Sequence, residues 1–168
     1  MINLKKPILT LAAAEILLLC LVAPPPVHAG DAIVVIVNSS NPVDSLSAAE
    51  LKKLFLSDRS RWETGKAVAP VMPSPGSPER TTFLKIVCGM NDSELNKYFM
   101  QAAFTGKSAT PPKEVAGSAA VKSFVASSPG AIGFVKALDF HGDGSDGGVK
   151  AVKVDGLAAS DAGYKLRM

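Results

Sequence analysis

VMPSPGSPERTTFLKIVC, Val71–Cys88, is the stretch on which the reading of the chain turns. It begins apolar, breaks at Pro73, Pro75, Gly76 and Pro78, and becomes apolar again at helical spacing. The pattern predicts a strand over Ala67–Met72, a tight turn over Pro73–Pro78, and a helix from Glu79 to about Cys88. Ser77 suits the N-cap, and Pro78 suits the first helical position, where its missing donor costs nothing. Phe83, Leu84, Ile86 and Val87 would form the buried stripe of that helix.

Upstream, AIVVIV (Ala32–Val37) is a continuous branched run, the signature of a strand covered on both faces. Ser47 with Glu50 makes a capping box, and Leu46 with Leu51 a hydrophobic staple, so a helix opens there with Leu51, Leu54 and Phe55 inward. Ser57–Gly65 reads as a loop carrying Trp62. Downstream, Asn91 with Glu94 opens another helix that runs to about Phe104, with Met90 and Leu95 as its staple. Thr105–Gly117 reads as a long connection and Ser118–Ala126 as a helix. Ala131–Val135 and Val149–Val154 read as strands. Strands alternating with helices predict an α/β fold, a mostly parallel sheet flanked by helices.

The first residues carry a different pattern. Lys5 and Lys6 precede an apolar run from Ile8 to Ala23, stopped by Pro24-Pro25-Pro26 and followed by Val27-His28-Ala29. This is the pattern of a secretion signal over residues 1–29, cleaved after Ala29, leaving residues 30–168 as one domain. A retained anchor is the rival. It is disfavoured because the run is short for a span of ~20 residues and contains Glu15. Cys20 follows Leu17-Leu18-Leu19 rather than a small residue, which disfavours lipidation. Loss of the signal from 168 residues leaves about 139, enough for a single core. The formal charge of +3 falls to about +2, too mild to argue for nucleic acid or an anionic membrane, and no stable membrane insertion is expected once the signal is cleaved. Cys88 and His141 would be the remaining cysteine and histidine, so no intrachain disulfide is expected; such a chain suits a bacterial periplasm.

Catalytic chemistry finds few parts. A Ser–His–Asp arrangement would depend on His141, which sits in a glycine-rich segment ill suited to holding it. A zinc site would have one histidine and one cysteine to draw on. Gly142, Gly144 and Gly147 fit the letters of a dinucleotide fingerprint, but that motif needs a helix at its last glycine and Val149–Val154 alternates like a strand. Asp139, Asp143 and Gly144 mimic the start of a calcium loop, yet Lys150 stands where a bidentate glutamate is required. The expectation is a protein that is not an enzyme and holds no cofactor and no metal.

The start of the helix after Val71 offers a more specific chemistry. Its first amide hydrogens lack internal partners and carry partial positive charge, so they can hold an anion. Ser77 and Thr81 add hydroxyls, and Arg80 adds a forked cation. Glu79, in the same turn, is a competing carboxylate.

Several stretches, taken as an ordered set, resemble the phosphate-binding component of bacterial ABC transporters, a family of two-lobed periplasmic binding proteins. Asn41-Pro42-Val43, Leu46 and ELKKLFL (Glu50–Leu56) are similar to one family run, and Trp62 and Gly65 follow at the family's spacing. Val71–Phe83 matches the length of its strand, phosphate loop and helix start. VASSPGAIGFV (Val125–Val135) is similar to its "TPGAIGYV" segment. The resemblance implies one lobe of such a fold, with the segments that precede these in the family missing. It implies a ligand loop at Ser74, Gly76 and Ser77, where the family's first serine, first glycine and second serine fall. Pro73 stands where the family has arginine and Glu79 where it has threonine, so Arg80 is the candidate for the missing charge. With Arg80 and Thr81 the expected ligand-binding set is Ser74, Gly76, Ser77, Arg80 and Thr81. The implied partners are phosphate or another oxyanion and a membrane permease or receptor. The other reading of the residues is a periplasmic interaction or sensory module that keeps the fold without a ligand.

Overall fold

A computed structural model describes residues 31–142 and 146–168. The expected signal segment, and Asp143 and Gly144 of the glycine-rich segment, lie outside the described residues. The strands are β1 (Ile33–Asn38), β2 (Ser45–Leu46), β3 (Ala69–Pro73), β4 (Lys113–Val115), β5 (Ala131–Lys136) and β6 (Val149–Val154). The helices are α1 (Ala48–Phe55), α2 (Pro78–Phe83), α3 (Asp92–Phe104) and α4 (Gly117–Ser127). The chain leaving α2 continues as a π-helical turn, Leu84–Cys88, which Gly89 ends at φ 70°.

The six strands form one mixed sheet in the order β2-β6-β1-β5-β3-β4. β1 is antiparallel to both β5 and β6, whereas β2–β6, β5–β3 and β3–β4 pair in parallel. Five strands therefore point one way and β1 alone points back. That reversal is invisible in the letters, because a run buried on both faces has the same periodicity in either direction. Two short edge strands were not read from the sequence at all. β4 falls in the stretch expected to be a plain connection, and β2 is only two residues long.

β1 is buried along its whole length, as AIVVIV predicts. Ile33, Val35 and Val37 face the larger core with α1, α2 and α3, while Val34 and Ile36 face Val121 and Val125 of α4. Burying a side chain of this size contributes about 1.5–3 kcal/mol. Phe83 stacks on Phe134 at 4.1 Å, and Phe55 meets Phe83 edge-on at 4.7 Å. This aromatic set fixes the first helices to the centre of the sheet. On the opposite face Gly133 lets α4 approach: a Cβ there would lie 2.8 Å from methyl carbons of both Val121 and Val71.

Both predicted capping boxes are present, at Ser47–Glu50 and Asn91–Glu94. Trp62 is buried and donates from its indole nitrogen to the Gly130 carbonyl at 2.9 Å. The Trp62 loop and the SPGAIG segment, read separately in the sequence, are thus in direct contact.

Candidate functional site

With five strands aligned, the carboxyl ends of β2, β3, β4, β5 and β6 share one edge of the sheet. In open α/β sheets this edge is the usual place for a ligand. Three helices begin there, because α1 follows β2, α2 follows β3 and α4 follows β4. Their unpaired first amides make the edge locally electropositive.

Carboxylates answer at each of these starts. At α1, Asp155 accepts from the Ala48 amide at 3.0 Å, in addition to the Ser47–Glu50 box. At α4, Ser118 donates its hydroxyl to Asp139 at 2.5 Å. At α2, Glu79 lies in the first turn, 4% exposed, with one oxygen 3.6 Å from Lys136 Nζ and without a hydrogen-bond partner.

The turn before α2 brings Ser74, Gly76 and Ser77 together. Ser74 is exposed and donates to the Val115 carbonyl at 3.2 Å, tying the turn to β4. Gly76 takes φ 84°, a left-handed conformation that suits glycine. Ser77 occupies the N-cap position as expected, but its side chain makes no capping bond. Its hydroxyl oxygen is enclosed and has no hydrogen-bond partner. Beside it the first helical hydrogen bond is Thr81 N–H to Ser77 O, so the Glu79 and Arg80 amides precede the internal ladder.

The other two residues of the expected set lie differently. Thr81 is exposed, and its hydroxyl donates back to the Ser77 carbonyl at 3.1 Å. Arg80 turns inward and is 1% exposed. Its Nε donates to Asp92 Oδ1 at 2.6 Å. Its Nη1 donates to the Pro73 carbonyl at 3.0 Å and lies 2.8 Å from Glu114 Oε1. One guanidinium thus ties the end of β3 to α3 and β4, and two carboxylates already neutralise it. Sequence reasoning missed this role. Asp92 and Glu114 lie far along the chain, and a charged residue in a first turn ordinarily reads as exposed.

The thiol of Cys88 is buried in the larger core, and burial pushes it up to about 11, which leaves it protonated and unreactive near neutral pH. No group of three or more metal-ligating side chains occurs among the described residues.

No protein-family model matches the sequence. Among solved structures, the chain is similar to one described as a phosphate ABC transporter substrate-binding protein with bound phosphate, from Clostridium perfringens. The TM-score is 0.59 and the identity 27%, over 79% of this chain and 49% of that one. An ABC-type phosphate transport receptor from Vibrio cholerae matches with a TM-score of 0.58 and 18% identity, over 79% of this chain and 51% of that one. A phosphate-binding protein from Stenotrophomonas maltophilia gives 0.54 and 12%, over 77% and 40%. The last two, given their low identity, show the fold alone. The chain spans about half the length of these structures. The fold is thus that of phosphate substrate-binding proteins over that span.

Proposed function

We propose that the chain is an exported, non-catalytic solute-binding domain that receives an oxyanion, phosphate foremost, at the Ser74–Ser77 turn and presents it to a membrane permease or receptor. The observation that carries this reading is the Ser77 hydroxyl, enclosed and unpartnered, beside amides not used by the helix at the carboxyl edge of β3. The likeness to a substrate-binding protein with bound phosphate supports it. Export rests on the N-terminal pattern, with residues 1–29 as signal and 30–168 as the domain. An intact mass beginning at Gly30 for protein recovered from the periplasm checks that division.

The contact would be made by neutral donors. Arg80 serves as a buried strut and Lys136 faces Glu79, so the positive potential that meets the anion comes from the helix amides. Each hydrogen bond to an anion wetted on one side is worth less than the ~1.5–3 kcal/mol usual for charged partners. Affinity is therefore weak. The test is a melting screen with phosphate and sulfate on the wild type and on Ser77→Ala. A phosphate-dependent rise that Ser77→Ala abolishes supports the reading; no rise at millimolar phosphate contradicts it.

A second reading is a periplasmic interaction or sensory module that keeps the fold without a ligand. The burial of Glu79 in the first turn of α2 favours it, because that carboxylate repels an incoming anion. It predicts melting insensitive to oxyanions and a crosslinked protein partner recovered from cells.

A further inference from the structure

The Arg80 cluster borders a second feature, on the face of the sheet away from α4. A cavity of about 560 Å³ opens between α3 and the segment leading into β4. Its walls are apolar, formed by Met72, Leu95, Phe99 and Met100, and its polar groups include Arg80 and Glu114. A volume of this order, with apolar walls and a few convergent polar groups, is the usual form of a small-molecule site. Met100 is 60% exposed at its rim, so the walls are accessible from solvent.

The polar end carries a specific demand. Arg80 is 1% exposed, and its bonds run through Nε and Nη1, leaving Nη2 without an acceptor among the described residues. That nitrogen is not enclosed as the Ser77 hydroxyl is, so it opens to a space where an acceptor supplied from outside can reach it. Charge decides what kind of acceptor. The cluster holds one cation, Arg80, against two carboxylates, Asp92 and Glu114. Glu114 is half exposed, retains acceptor capacity and repels a further anion. A neutral carboxamide meets both conditions, since its carbonyl can accept from Arg80 while its NH₂ donates to Glu114.

We infer that this cavity is a binding site for a small neutral amide with an apolar tail, distinct from the oxyanion turn at Ser77 and independent of it. The amide group lies at Arg80 and Glu114, and the tail lies along Leu95, Phe99 and Met100. A carboxylate of the same shape is disfavoured by Glu114, which would lose its place at Arg80 or face a like charge.

The experiment titrates hexanamide and hexanoate separately into the purified protein carrying ¹³C-methyl methionine, and follows the Met72 and Met100 methyl resonances. Hexanamide is expected to move both saturably, with hexanoate at least about tenfold weaker, as expected of a site whose polar groups match one of the two heads. Ala103→Trp, at the exposed rim, is expected to abolish the response while leaving the melting temperature unchanged. Glu114→Gln is expected to narrow the gap between the two probes. Unmoved methyl resonances, hexanoate binding as tightly as hexanamide, or an unaltered response in Ala103→Trp or in Glu114→Gln would each overturn the inference.

Discussion

Arg80 donates from Nε to the Asp92 carboxylate at 2.6 Å, and this bond joins the first turn of α2 to the first turn of α3. Asp92 is thereby engaged with Arg80, and the guanidinium is turned away from the Ser74–Ser77 turn, where an anion would meet it. A residue with the chemistry of an anion clamp has become part of the scaffold that shapes the turn.

Replacing that arginine should therefore be felt as lost stability. Arg80→Met leaves the Pro73 carbonyl and two carboxylates without their partner, at a cost of about 2–4 kcal/mol. Glu114→Gln should cost under about 1 kcal/mol, because that carboxylate is half exposed and its pairing is screened. Urea unfolding of both variants checks the order. Equal costs would mean that the cluster acts as a surface pair.

The two serine N-caps should behave oppositely. Ser47→Ala removes one half of a complete capping box and should cost about 1 kcal/mol. Ser77→Ala removes a hydroxyl that caps nothing and has no partner, so it should be neutral within ~0.5 kcal/mol or slightly stabilising. A large loss in Ser77→Ala would show that the hydroxyl is bonded in the folded protein.

Gly130 is fixed by its neighbour rather than by its backbone angle. A Cβ there would lie 2.0 Å from the Ala67 carbonyl oxygen, which is backbone and cannot swing aside. Gly130→Ala should cost at least about 2 kcal/mol. It should also shift the fluorescence of Trp62, whose indole is bonded to the Gly130 carbonyl. Unchanged melting and emission would contradict the packing.

Asp146 should set part of the acid limb. Burial pushes its carboxyl up, but the Lys122 hydrogen bond, the His141 and Gly142 amides and the Lys122 charge outweigh that, and it is held well below the usual carboxylate range. A folded-state value below the unfolded one contributes stability above the ordinary value of 3.8, lost as pH falls below it. Asp146→Asn should lower stability at neutral pH and flatten its decline between about pH 4 and pH 2. An unchanged acid limb would remove Asp146 from that role.

How much was legible in the sequence follows from the range of the interactions involved. The capping boxes at Ser47 and Asn91 and the buried run of β1 are local patterns, and the structure has all three. The register and direction of β1 depend on β5 and β6, which are distant in sequence, and periodicity does not encode them. β4 escaped because Lys113–Val115 has neither length nor alternation to mark it, and its pairing with β3 supplies the strand. At the candidate site the turn was legible, since Pro73 ends β3, Gly76 turns the chain at φ 84° and Pro78 opens α2, each for a backbone reason. The inward course of Arg80 was not, because its partners come from α3 and β4. The unpartnered Ser77 hydroxyl was also hidden, since the letter promised a cap and the geometry withholds it.

The most direct test of the oxyanion reading is a ¹H–¹⁵N titration of the purified protein with inorganic phosphate, following the amides of Ser77, Glu79 and Arg80. Saturable shifts at those three, absent in Ser77→Ala, are the predicted result. Amides that stay still at millimolar phosphate, or that shift only at scattered surface lysines, would contradict it.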